Sequence, residues 1–314
     1  MVATSASKTF TYKVLQGYFL QTDLKAEPGT IGPNPDAFGL IDGDSKTCWS
    51  DFKAKITKLQ QDAPVATKYA VCWFGRHGQG WHNVGESKYG TVEWDKKWSL
   101  LNGDGEITWG PDPELTDLGK QQASEAHKVW KTELARQDPV PLPTILFSSP
   151  FSRAALTLDI TLPTILFSSP FSRAALTLDI TFSGILTHMK DGTGLRPYIM
   201  ENLREMNGEH TCDKRNPKSR IHEMYPEFEF EPGFTEEDEL WTPDHRETVQ
   251  EIDDRLKVAL DEIFGSLLGK SDIFFSITAH SGTIAAALRV LGHKEYVLPT
   301  GGVIPVVIQA TENK

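Results

Sequence analysis

Residues 69–83 read YAVCWFGRHGQGWHN. The first six are apolar, and the run closes at Gly75 before Arg76, His77 and Gly78. An apolar run of this length bounded by glycine predicts a strand buried on both faces, with a functional loop at its C-terminal end. Upstream, Trp49, Phe52, Ile56 and Leu59 recur at helical spacing and predict an amphipathic helix over 48–61. The Gly-, Pro- and Asp-rich stretch 24–46 reads as loop, and 1–66 as a whole reads as an N-terminal extension. Downstream, the polar stretch 85–114 also reads as loop. Thr116 then N-caps a helix patterned on Leu118, Ala123, Ala126, Val129, Trp130 and Leu134.

The next segment is anomalous. Residues 142–161 read LPTILFSSPFSRAALTLDIT, and residues 162–181 repeat them without a difference. Repeat architectures need three or more similar units. Two identical copies instead mark a tandem duplication in a parent chain 20 residues shorter. Each copy reads as strand, loop and helix start. Beyond it, a strand is expected at 197–203, a helix on Val249, Ile252, Leu256, Leu260 and Ile263, and strands at 273–278 and 303–308. Residues 223–239 carry many acidic side chains and no basic one, mixed with Phe228, Phe230 and Phe234, and read as a solvated loop or a lid within an insertion at 209–245. Strands alternating with helices argue for a single α/β domain with a mostly parallel sheet, whose site lies at the carboxyl ends of the strands.

The chain has 314 residues, 39 % of them hydrophobic, and a formal net charge of −11. Those proportions exclude fibrous and disordered classes. The acidic balance disfavours nucleic acid and anionic membranes as partners. Cys48, Cys72 and Cys212 are too few and too scattered for a disulfide framework or a metal motif. The start lacks a secretory pattern and no apolar run is long enough to span a bilayer, so a cytoplasmic protein is expected, with the nucleus open to it. Nothing in the sequence fixes an oligomeric state.

Several expected strand ends carry charged or polar clusters: Arg76-His77-Gly78, the SSPFSR loops with Arg153 or Arg173, Arg204-Glu205, and Ala279-His280-Ser281-Gly282. Two histidines, two arginines and a carboxylic acid suit one task. The cations hold a phosphoryl group, a neutral histidine attacks phosphorus, and the acid protonates the leaving oxygen.

Read as a set, these motifs resemble the histidine phosphatase (phosphoglycerate mutase-like) superfamily. Its opening Arg-His-Gly, followed after four residues by Asn, is matched at Arg76 to Asn83. Its Leu-Thr-x-x-Gly-x-x-Gln-Ala helix signature is matched at Leu115 to Ala123, and its Ser-Ser-Pro-x-x-Arg-Ala motif occurs twice. The Leu-Arg-Glu and second-histidine motifs follow in the family's order, and the likeness spans roughly 69–309. Gly-x-His-Asn at 80–83 is similar to a fungal and plant branch of mutase-like proteins. The His-Asp dipeptide of the phytase-like branch is absent, since Ser281 follows His280.

The resemblance implies a three-layer sandwich, helices flanking the sheet on both sides. It implies His77 as nucleophile, and Arg76, Asn83, the second arginine and His280 around the phosphoryl group. Glu205 would be the general acid. Gln79, Trp81 and His82 are expected to face substrate, and His210, Lys214 and Arg215 offer charge for a substrate anion. No metal and no cofactor are expected.

Only one copy of the duplication can fill the strand. Lengthening the preceding loop from about 6 to about 26 residues costs only about 1.3 kcal/mol of chain entropy, whereas interrupting the following helix loses packing. The second copy is therefore expected to occupy the site with Arg173, and Arg153 to be displaced. The implied function is hydrolysis of small soluble phosphomonoesters through a phosphohistidine. The alternatives are a phosphomutase of the phosphoglycerate mutase type and an enzyme inactivated by the duplication. The strict mutase motif has Glu where this chain has Gln79, which favours hydrolysis.

Overall fold

The computed structural model describes residues 8–143, 166–188, 196–267 and 274–314. In chain order the elements are β1 (Phe10–Leu15), α1 (Pro28–Ile31), α2 (Cys48–Gln61), β2 (Thr67–Arg76), α3 (Trp81–Tyr89), α4 (Thr91–Lys96), α5 (Asp117–Leu134), β3 (Leu166–Ser168), α6 (Ser172–Phe182), β4 (Tyr198–Ile199), α7 (Lys218–Met224), β5 (Glu229–Phe230), α8 (Val249–Leu267), β6 (Phe274–Ala279), α9 (Ser281–Val290) and β7 (Val303–Glu312). One sheet takes the order β1-β7-β2-β6-β3-β4-β5. β7 runs antiparallel to both β1 and β2, and the pairs from β2 across to β5 are parallel.

Aromatic contacts reveal three layers. On one face Trp73 meets Trp130 of α5 and Phe274, while Phe274 meets Phe52 of α2. On the other face Phe275 packs against Phe264 of α8 and against Phe167 of β3. Alternate side chains of a strand point to opposite faces, so neighbouring Phe274 and Phe275 serve opposite layers. The fold is the expected α/β sandwich with a mostly parallel sheet.

Four segments differ in part from the sequence reading. The N-terminal extension supplies an edge strand, β1, whose Phe10 is buried against Phe264. The polar stretch 85–114 is helical in its first part, as the end of α3 and as α4, and loop beyond. Gly85 makes this possible: a Cβ there would lie 2.6 Å from Trp94, so only a bare backbone lets the Trp94 and Trp109 rings close over α3. The acidic segment is a largely exposed loop held by aromatic anchors, with one short strand that the sequence did not announce. Phe228 and Phe234 are buried, and β5 pairs with β4 at the sheet edge. The strand expected at 197–203 is only β4, followed by a 3-10 turn over Glu201–Leu203.

The described part of the second duplicate forms β3 and α6. The first duplicate's Arg153 lies outside the described residues.

Candidate active site

β2, β6 and β3 end side by side. Arg76 registers with Ala279, and Ser168 with Thr278. The residue after each strand therefore enters the same space. His77 N–H donates to Ala279 O at 2.9 Å, and Ser169 N–H donates to Thr278 O at 3.0 Å. The His77 and His280 ring centroids lie 5.0 Å apart, and His82 lies 5.3 Å from His77.

The loop after β2 is fixed from below. A Cβ on Gly78 would fall 2.2 Å from Gly119 O, so β2's loop sits directly on the first turn of α5. Thr116 caps that turn, accepting Gly119 N–H at 3.0 Å, and its hydroxyl also reaches Gln79 Oε1 at 2.9 Å. Gln79 Oε1 is thereby engaged in holding the loop. Asn83 accepts Gly80 N–H through Oδ1 at 3.0 Å and caps α3.

His77 is 1 % exposed, and its Nδ1 lies 2.6 Å from Gly78 O. A carbonyl only accepts, so Nδ1 carries the hydrogen and Nε2 keeps its lone pair. Burial first, then the Arg173 and Arg76 charges, hold its pKa well below the usual histidine range. Burial and Arg173 do the same for His82 and His280. All three rings are neutral at pH 7.

Arg173 is 1 % exposed. Its Nη1 donates to Cys212 O at 3.0 Å and its Nη2 to Asp213 at 3.1 Å, with Asp112 at 3.8 Å on the other side. The Asp112 carboxyl is pushed up to about 6 by burial, against the pull of Arg173 and hydrogen bonds from Ser172 and Asn216. Arg76 donates Nη1 to Leu298 O at 2.7 Å, and burial lowers its pKa against the opposing charge of Glu205. Four buried nitrogens around this space have no hydrogen-bond partner among the described residues: Arg76 Nε, Arg173 Nε, His82 Nδ1 and His280 Nδ1.

Glu205 crosses from the turn after β4 to the N-terminus of α9. Its carboxylate accepts N–H groups from Met206 at 2.9 Å, Thr283 at 3.1 Å and Gly282 at 3.2 Å. A Cβ on Gly282 would meet Glu205 Oε1 at 2.2 Å, so a side chain there would push the carboxylate aside. Arg76, His82, Asn83, Arg173, Glu205 and His210 share the lining of a cavity of about 250 Å³.

The chain belongs to the histidine phosphatase superfamily. The family model described as histidine phosphatase superfamily (branch 1) matches residues 158–298, a span that holds Arg173, Glu205 and His280, while Arg76 and His77 precede it. A probable phosphoglycerate mutase of Arthroderma benhamiae is 38 % identical over 310 residues, 95 % of this chain and 84 % of its own. A probable phosphoglycerate mutase of Saccharomyces cerevisiae is 36 % identical over 92 % of this chain and 97 % of its own. The phosphomutase-like protein 3 of Candida albicans is 34 % identical over 99 % of this chain and 84 % of its own. Among solved structures, one titled mycobacterial hydrolase 1 aligns over 79 % of this chain and 98 % of its own, at 18 % identity and a TM-score of 0.42.

Within this superfamily frame, not every residue named from sequence reaches the cavity. Trp81 is 40 % exposed and lines a separate cavity of about 480 Å³ with Asp112, Ser172 and Arg220. Lys214 is exposed and sits over the Trp241 ring. Arg215 is corrected from a substrate contact to a structural one. Its Nε donates to Glu201, and its two Nη atoms to Thr235 and to the carbonyls of Asn216, Glu236 and Glu237, so the whole fork is spent on holding the insertion down.

Asp213 and Arg246 were not visible as site residues from their spacing. Asp213 accepts from Arg173 on one oxygen and from Arg246 on the other, at 3.1 Å and 2.8 Å. His210, Cys212 and Asp213 do bring potential metal ligands within 4.8 Å of one another. With both Asp213 oxygens engaged by arginines, and burial pushing the Cys212 thiol well up, the cluster serves the arginines. Among the described residues, no helix is long and apolar enough to cross a membrane.

Proposed function

We propose that the protein is a phosphatase that hydrolyses small soluble phosphomonoesters through a phosphohistidine on His77. The observation that carries this reading is a neutral His77 with a bare Nε2, ring to ring with His82 and His280 and under the charges of Arg173 and Arg76, each of those four neighbours keeping a buried nitrogen with no partner among the described residues. Buried polar groups are normally satisfied, so such a cluster points to an oxygen-rich anion as its partner. Arg76 and Arg173 carry permanent charge and a planar donor fork suited to phosphoryl oxygens.

In the first step His77 Nε2 attacks phosphorus, the N–P bond forms, and the ester O–P bond breaks. The acid form of Glu205 gives its proton to the leaving oxygen. The carboxylate left behind is met by the Gly282 and Thr283 N–H groups at the N-terminus of α9, where the helix dipole favours negative charge, and by the Met206 N–H. In the second step that carboxylate takes a proton from water, the hydroxide oxygen bonds phosphorus, and the N–P bond breaks to free His77 and inorganic phosphate. Arg76 and Arg173 supply the positive charge and the neutral His82 and His280 offer further polar nitrogens, so this reading calls for no metal.

A phosphomutase reading is favoured by the names of the relatives, and it uses the same residues. Gln79 stands where the resemblance places Glu in strict mutases, and here it is tied to Thr116, which supports hydrolysis. The placement of Arg173 in the site supports an active enzyme despite the duplication.

Purified protein assayed with an aryl phosphate in excess chelator tests this reading. Release of inorganic phosphate, abolished by His77→Ala, is expected. Phosphoryl transfer to a second hydroxyl without phosphate release would favour the mutase. No turnover, with turnover restored by deleting 142–161, would mark a damaged enzyme.

A further inference from the structure

His280 spends its ring nitrogens differently from His77. It is 0 % exposed, and its Nε2 lies 2.6 Å from Ser169 Oγ. Its Nδ1 has no partner among the described residues and belongs to the nitrogen cluster. Burial and Arg173 keep the ring neutral, so it carries one hydrogen, on one nitrogen or the other.

Ser169 decides which. It is 0 % exposed, and its Oγ has two neighbours within hydrogen-bond distance, Phe171 N–H at 3.4 Å and His280 Nε2 at 2.6 Å. The Phe171 N–H can only donate. The hydroxyl hydrogen therefore has one acceptor among the described residues, and that is Nε2. Were Nε2 to carry the ring hydrogen, it would donate to Ser169 Oγ beside the Phe171 N–H, and the buried hydroxyl hydrogen would be left without an acceptor among the described residues. The backbone leaves little slack: Ser169 N–H is fixed to Thr278 O on the neighbouring strand, two residues before His280.

We propose that Ser169 is a positioning residue that locks neutral His280 with its hydrogen on Nδ1, so that this buried nitrogen donates to a phosphoryl oxygen. His77 and His280 then share one tautomer and use opposite ends of it. His77 gives its Nδ1–H to Gly78 and turns a lone pair to phosphorus. His280 takes a hydrogen from Ser169 and turns an N–H to the phosphoryl oxygens. What His280 donates to rests on the phosphatase reading above, whereas the tautomer itself does not.

The test is nitrogen NMR on the full-length, substrate-free protein labelled with ¹⁵N-histidine, with the His280 signals assigned by their loss in His280→Asn. The expected spectrum shows a protonated Nδ1 and a bare Nε2 for His280. In Ser169→Ala the Nε2–H form should become populated, and kcat for an aryl phosphate should fall on the order of 10–100-fold, the range for losing a partner that fixes a working histidine. Ser168→Ala is the packing control. Ser168 is equally buried and donates to Ser169 O at 2.9 Å, away from the ring, so tautomer and rate should both stay unchanged.

A hydrogen on Nε2 in the unaltered protein overturns the proposal, and this reading stands even if Ser169→Ala does not fold. An unchanged tautomer in Ser169→Ala overturns it too, as does a wild-type rate in that variant. If His280→Asn keeps full activity, the phosphatase reading of His280 fails instead, and the spectrum still decides the tautomer.

Discussion

Acidification should destabilise this protein through its buried histidines His77 and His280, and the size of the effect follows from their burial. His77 is 1 % exposed and His280 0 % exposed, and both are held neutral, with pKa values well below the ordinary range. In the unfolded chain a histidine titrates near 6.5. Below that pH the unfolded state binds protons that the folded state refuses, so stability falls as pH falls. For one such histidine the loss is about 0.2 kcal/mol at pH 7 and about 1.4 kcal/mol at pH 5.5, a change of about 1.2 kcal/mol. Two carboxyls act in the opposite sense. Burial pushes Asp112 up to about 6 and Glu231 up to about 7, so both bind protons in the folded state and blunt the overall slope. The histidine contribution is therefore read as a difference. Urea unfolding of the wild type, His77→Asn and His280→Asn at the two pH values should show the wild type losing about 1.2 kcal/mol more than either variant. Parallel losses in all three proteins would refute the reasoning, because they would mean that His77 and His280 are already protonated or solvated in the fold.

Three further outcomes follow from the geometry. Gly282→Ala should lower kcat on the order of 10²-fold in a steady-state assay, because its Cβ would take the space 2.2 Å from Glu205 Oε1 and displace the proposed acid from its cradle. Arg173→Ala should cost on the order of 10²–10³ in kcat, whereas Arg153→Ala should leave the rate unchanged; the reverse pattern would assign the site to the first duplicate. Asp213→Asn should destabilise the protein by about 3 kcal/mol in denaturant titration, since it removes one partner of a buried ion pair and leaves Arg173 under-compensated.

What could be read from sequence was what local chemistry decides. The apolar run before Arg76 had to be buried on both faces, and β2 is. Thr116 is a sound N-cap on composition alone and caps α5. The helix over 48–61 matched its periodicity. The elements that escaped depend on distant partners. β1 exists only by pairing with β7 near the other end of the chain. α3 and α4 carry a weak apolar stripe, and their burial comes from a tryptophan cluster whose members reach Trp109 and, across the chain, Cys212. The site divides the same way. His77, Arg76, Glu205 and His280 stand in recognisable motifs, but Asp213 is an ordinary acid in an insertion until Arg173 is seen on one oxygen and Arg246 on the other. Arg215 misled for a related reason. A basic residue soon after Glu205 looks available for an anion, and only the folded insertion shows its guanidinium already spent on Glu201 and four carbonyls.

The central claim is that His77 Nε2 takes the phosphoryl group. Mixing the enzyme with an excess of aryl phosphate, quenching in alkali and mapping the phosphate by peptide mass spectrometry tests it directly. The account expects an alkali-stable, acid-labile phosphate on His77, formed at the rate of turnover and absent from His77→Ala. Turnover without phosphate on His77, or with the phosphate on another residue, would contradict it.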